Sequence, residues 1–77
     1  MAGTEQETNG LRQLTDRQLD VLALMAEGRS NASIARTLCI TEKAVVSQTS
    51  RIYDELGLAA SGDDHRRVLA VLHYLNR

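Results

Sequence analysis

The spacing between Leu38 and Val45 leaves room for one tight turn, and it constrains the fold more than any other feature. An apolar pattern of helical period stops at Cys39, and Thr41 then has the character of a helix cap, with Ile40 and Val45 in hydrophobic-staple positions on either side. Two helices joined by so few residues must turn steeply on each other, which is the geometry of a helix-turn-helix.

The flanking text supplies the other elements. Thr15-x-x-Gln18 has capping-box spacing, with Leu14 and Leu19 placed as a staple, so a first helix begins near Asp16. Gln18, Val21, Leu22 and Met25 fall on one face of it, and Gly28 ends it by supplying a left-handed residue. Ser30 or Asn31 caps a second helix of about two turns, with Ile34, Ala35 and Leu38 inward. A third helix buries Val45, Thr49, Ile52 and Leu56 and ends at Gly57. After Ala59-Ala60-Ser61-Gly62, Asp63 or Asp64 caps a fourth, in which Val68, Val71, Leu72 and Leu75 form one stripe. Leu69, His73 and Tyr74 widen its apolar surface sideways and form a candidate dimer face. The expected fold is therefore all-α: a four-helix bundle containing a helix-turn-helix, over residues 14–77. Residues 1–13 are polar and aperiodic, and read as a flexible leader or linker.

Composition narrows the function. Seventy-seven residues with 43% apolar content suit one core. A chain of this size buries only about 60% of its unfolded surface, which leaves no room for a deep catalytic pocket. No nucleophile and base pair, metal cluster or phosphate loop is present, so an enzyme is not expected. Cys39 is the single cysteine, so no internal disulfide can form, and it has no neighbours for a zinc site. His65 and His73 share no third ligand, and no cofactor is implied. No apolar run approaches the roughly 20 residues needed to span a bilayer, and no secretory signal opens the chain, so a cytoplasmic location is expected.

A helix-turn-helix commonly lays its second helix in the major groove of DNA, with base edges read from one face and phosphates met by flanking cations. The outward face of the third helix carries Lys43, Val46, Ser47, Ser50, Arg51 and Asp54. Val46 suits contact with a thymine methyl, Ser47 and Ser50 allow close backbone approach, and Gln48 suits adenine. Lys43, Arg51, Arg36 and Arg29 are placed to neutralise phosphates. Bulk charge does not help: nine bases face ten acids for a net charge of −1, and removing residues 1–13 leaves eight of each. Affinity must come from where the cations sit, and a monomer should bind weakly.

From Leu14 to Tyr74 the chain resembles the C-terminal effector domain of LuxR-type (GerE-type) regulators, a group that includes the NarL/FixJ response regulators. The resemblance rests on Leu14-Thr15-x-Arg17, Val21-Leu22, Ala26-x-Gly28-x-Ser30-Asn31, Ile34-Ala35, Leu38-x-Ile40-Thr41-x-x-x-Val45 and Ile52-x-x-x-Leu56-Gly57-Leu58. The tail from Asp64 to Leu75 is similar to actinobacterial members. It implies a four-helix fold whose second and third helices bind DNA and whose fourth contributes to dimerisation. Such domains usually follow a receiver or ligand-binding domain. This chain carries none, so it reads as an excised or a stand-alone effector domain. It departs from the family where Lys is common at Val46, His at Gln48, an apolar residue at Thr49 and Lys at Glu55, and Gln18 stands for the usual Glu.

The leading expectation is thus a sequence-specific regulator that binds double-stranded promoter DNA as a homodimer, with RNA polymerase as a further partner. The alternative is a helix-turn-helix that has become a protein-interaction or dimerisation module, motivated by the neutral charge. Region four of a sigma factor shares the Leu-Thr-x-Arg start, but its third helix is usually more basic.

Overall fold

A computed structural model describes residues 11–58 and 63–77. Its α-helices are α1 (Asp16–Ala26), α2 (Asn31–Leu38), α3 (Glu42–Glu55) and α4 (Asp63–Leu75), preceded by a 3-10 turn at Leu11–Gln13. No strand occurs among the described residues. The fold is the all-α arrangement that the helical periods dictate.

Each described helix start is built from the side chain that the sequence nominates. Thr15 and Gln18 form the reciprocal capping box: the Gln18 N–H donates to Thr15 Oγ1 at 3.1 Å and the Thr15 N–H donates to Gln18 Oε1 at 2.9 Å. Gln18 can therefore be buried, because its carbonyl oxygen is satisfied. Ser30, rather than Asn31, caps α2 through the Ser33 N–H, and Thr41 caps α3 through the Ala44 N–H. Asp63 and Asp64 stand at the edge of the described chain. Their expected capping role and the loop 59–62 lie outside the described residues, as do residues 1–10 of the expected leader.

The helix ends use left-handed residues. Gly28 (φ 85°) lets the Arg29 N–H reach the Leu24 carbonyl at 3.3 Å. At the turn between α2 and α3 the same role falls to Cys39 (φ 59°), beyond which the Ile40 N–H donates to the Ala35 carbonyl at 3.0 Å. That hydrogen bond closes the turn, so α3 leaves at a fixed angle from α2.

One core cluster unites the helices. Val21, Leu22, Ile34, Val45 and Ile52 are fully buried, each contributing roughly 1.5–3 kcal/mol by burial. α1 packs against both α3 and α4, and α2 packs chiefly on α3. The expected inward faces of α1 and α2 hold, with Leu38 half-buried against the core. On α3, Tyr53 joins Val45, Thr49 and Ile52 in the interior, while Leu56 is only half-buried at its margin. The buried Thr49 hydroxyl donates to the Val46 carbonyl one turn back, at 2.8 Å.

Two expectations need correction. Leu11–Gln13, expected within the leader, form the 3-10 turn, and Leu11 is buried in the core beside Leu14. A single leucine among polar residues has no period to reveal it. The second correction concerns α4, whose inward residue is Ala70, fully buried and flanked by Val71 and Tyr74. Val68, Leu72 and Leu75 of the expected stripe are instead 58%, 46% and 59% exposed, alongside Leu69 at 44%. From Val68 to Leu75 nearly every face is apolar, so polarity cannot choose an orientation. Ala70 decides it, because a small side chain lets α4 approach α1 and α3 closely. Tyr74, expected on the dimer flank, packs against the core, with the Arg77 guanidinium 4.1 Å from its ring centroid.

Candidate nucleic-acid interface

The candidate interface is built on α3. Because its inner side is anchored by Val45, Thr49, Ile52 and Tyr53, its opposite side faces water, and Lys43, Ser47, Ser50, Arg51 and Asp54 are all exposed there. Val46 lies at one edge of this face, 49% exposed, and Gln48 at the other, half-buried. Fourteen residues make α3 about 21 Å long, and a major groove about 12 Å wide admits one helix with small side chains toward the bases. Glu42 at the start and Asp54 and Glu55 at the end bring negative charge to both ends, so the middle of the helix is the part suited to a polyanion.

The outlying cations are not equivalent. Arg36 is exposed on the last turn of α2, next to the turn. Arg29 is exposed as well, but its Nε donates to Glu27 Oε1 at 3.0 Å and its Nη1 donates to Ser33 Oγ at 3.1 Å. A phosphate must compete with Glu27 for it. Such an exposed pair is worth only about 0–1 kcal/mol, so the competition is mild.

Tertiary structure adds residues that the sequence reasoning did not place in the site. The start of α4 lies beside α3, and Arg66 and Arg67 line a cleft of about 300 Å³ with Asn31, Val46, Thr49, Ser50 and Tyr53. Arg66 stacks on Tyr53, its guanidinium carbon 4.8 Å from the ring centroid. Arg67 bridges α4 to the start of α2: its Nη1 donates to Asn31 Oδ1 at 3.1 Å and its Nη2 donates to the Arg29 carbonyl at 3.0 Å. One signal was available in the sequence. Two adjacent cations near the positive end of a helix oppose its dipole, which is a cost that local structure does not repay.

Nothing in this constellation resembles catalytic machinery. Among the described residues no group of three or more His, Cys, Asp or Glu side chains could hold a metal ion. Among them, too, no helix is long and apolar enough to cross a membrane. Cys39 is exposed at the turn, with its sulfur 4.0 Å from the Arg36 carbonyl oxygen.

No curated protein and no solved structure gives a significant match to the chain. The family model GerE, described as bacterial regulatory proteins of the luxR family, matches residues 12–63. That span holds α1, the capped turn and all of α3, and stops as α4 begins. With most of the sequence matched and the helix-turn-helix in place, the chain belongs to the luxR family of bacterial regulatory proteins and is a DNA-binding, helix-turn-helix transcription regulator.

Proposed function

We propose that the protein regulates transcription by binding promoter DNA in a sequence-specific manner, as a homodimer in the cytoplasm, with α3 in the major groove of each half-site. The observation that carries this reading is the two-sided character of α3. Its inner side is wholly engaged in the core, while Lys43, Ser47, Ser50 and Arg51 stand free of it on the outer side. Ser47 and Ser50 bring the helix backbone close to base edges, Val46 offers a methyl contact at the groove wall, and Lys43 and Arg51 meet the phosphates. Arg36 and Arg29 extend the phosphate contacts from α2 and its preceding loop, and Gln48 reaches a base from the far edge.

Dimerisation follows from charge and from the surface of α4. A domain with equal numbers of acids and bases over residues 14–77 gains little from bulk electrostatics, so two half-sites read together give the affinity that one cannot. Val68, Leu69, Leu72 and Leu75 form a contiguous exposed apolar strip at helical spacing, the kind of patch that marks an interface. Leu69 is exposed within this strip, His73 is half-buried, and Tyr74 packs against the core. The same strip favours the alternative reading of a protein-interaction module, with RNA polymerase as one occupant.

Fluorescence titration with duplexes from candidate promoters, repeated over a range of salt, tests the proposal. Affinity should fall by about one log unit per log unit of salt for each phosphate neutralised. No binding tighter than about 10⁻⁴ M at low salt would defeat the DNA reading. Amide shifts confined to residues 43–54 on adding DNA would support it. Copurification of a protein partner with those amides unmoved by DNA would favour the alternative.

A further inference from the structure

We propose that the cleft between the start of α2, the Val46–Tyr53 edge of α3 and the start of α4 seats a DNA backbone phosphate, with Arg66 and Arg67 supplying the charge. This rests on the DNA-binding reading above and adds to it a contact made by α4, beyond the residues that the family match covers.

Val46 and Ser50 belong both to the exposed face of α3 and to the lining of the cleft, so a duplex docked on that face passes over the cleft mouth. The bases at the groove floor meet the middle of the face. The backbone bordering the groove meets its edge, where Val46 lies.

Chemistry then selects the ligand. The wall of the cleft opposite Val46 carries two guanidinium groups, and Ser50 and Asn31 add neutral hydrogen-bonding groups. Both acceptors that hold Arg67, the Asn31 amide oxygen and the Arg29 carbonyl, are neutral, so these bonds orient the group without compensating its charge. A guanidinium has five N–H donors, and two are used here, which leaves three for a phosphate. Arg66 is held in place by stacking on Tyr53. Both charges are thus fixed before a ligand arrives, which lowers the ordering cost of binding. Position 46 has no charge of its own on α3, and α4 delivers it across the cleft.

The test measures anisotropy of a fluorescent mixed-sequence duplex, whose binding is almost wholly electrostatic, against salt for the full chain and for Arg66→Gln, Arg67→Gln, Arg67→Lys and Arg77→Gln. Arg77 lies beyond the opposite end of α4 from Arg66, outside the cleft lining, so its variant controls for net charge. Removing Arg66 or Arg67 should each reduce the log–log salt slope by about 0.9, so that a fourfold rise in salt costs the unaltered chain about 3.5-fold more affinity than the variant. Arg77→Gln should leave the slope unchanged. Arg67→Lys loses the fork that holds Asn31 and Arg29 but keeps the charge, so a retained slope separates phosphate contact from a structural role even where Arg67→Gln is poorly folded. Full-chain binding with an unaltered slope in Arg66→Gln, folded by circular dichroism, or a slope in Arg67→Lys that falls as far as in Arg67→Gln, would overturn the seat and leave the DNA reading standing. Failure of the unaltered chain to bind the duplex would remove both. Saturable amide shifts around Arg66 and Arg67 with inorganic phosphate, together with unchanged DNA slopes, would assign the cleft to a free anion and overturn the proposal.

Discussion

Replacing Cys39 with glycine should stabilise the domain, because this residue holds the tightest turn in a backbone conformation that favours glycine. At φ 59° an L-residue pays about 1–2 kcal/mol that glycine does not. Glycine gives back about 0.4–1 kcal/mol through the greater freedom of the unfolded chain. The side chain itself contributes little, since it is exposed and its one polar contact is the weak 4.0 Å approach to the Arg36 carbonyl. The balance is a gain of about 0.5–1 kcal/mol, or a rise in Tm of roughly 2–8 °C for a domain of this size. Thermal and urea unfolding followed by circular dichroism measure it directly. Cys39→Val is the counterpart, because a β-branched side chain tolerates this conformation poorly, and it should cost about 1 kcal/mol or more. A lower Tm for Cys39→Gly, or an unchanged one for Cys39→Val, would refute the idea that the left-handed residue governs the energetics of the turn. DNA affinity should survive Cys39→Gly, since the Ile40 to Ala35 hydrogen bond still fixes the angle of α3.

Arg51→Ala should weaken binding across all duplexes and reduce the salt slope by about 0.9, whereas Val46→Ala should alter the ranking of promoter sequences more than the general affinity; parallel titrations separate the two effects. Leu72→Lys, on the exposed strip of α4, should shift the species in analytical ultracentrifugation toward monomer while leaving Tm nearly unchanged, and a large fall in Tm would place Leu72 in the monomer core. Ala70→Leu should do the reverse, costing about 1–3 kcal/mol in urea unfolding because no space is left between α4 and its neighbours.

Much of this molecule is legible without coordinates because its local signals agree with one another. Thr15, Ser30 and Thr41 are cap residues that satisfy N–H groups within three residues, a bond of the chain to itself that needs no tertiary partner. The inward residues of α2 could be named because Ser33, Arg36 and Thr37 flank them and fix the face, and those of α1 because Gln18, Val21, Leu22 and Met25 keep one helical spacing from the capping box. The outward face of α3 followed for the same reason, and with it Lys43, Ser47, Ser50 and Arg51.

What the linear text left undecided shares one cause: the deciding contact lies far along the chain. The apolar run from Val68 to Leu75 is compatible with several rotations of α4, and only packing on α1 and α3 selects Ala70 and leaves Val68, Leu69, Leu72 and Leu75 in water. Arg67 meets Asn31 across 36 positions of sequence, so neither the cleft nor the second source of positive charge beside Val46 could be seen before the helices were docked. Caps, turns and helical faces are properties of neighbouring residues. The meeting of α2, α3 and α4 is a property of the packed core.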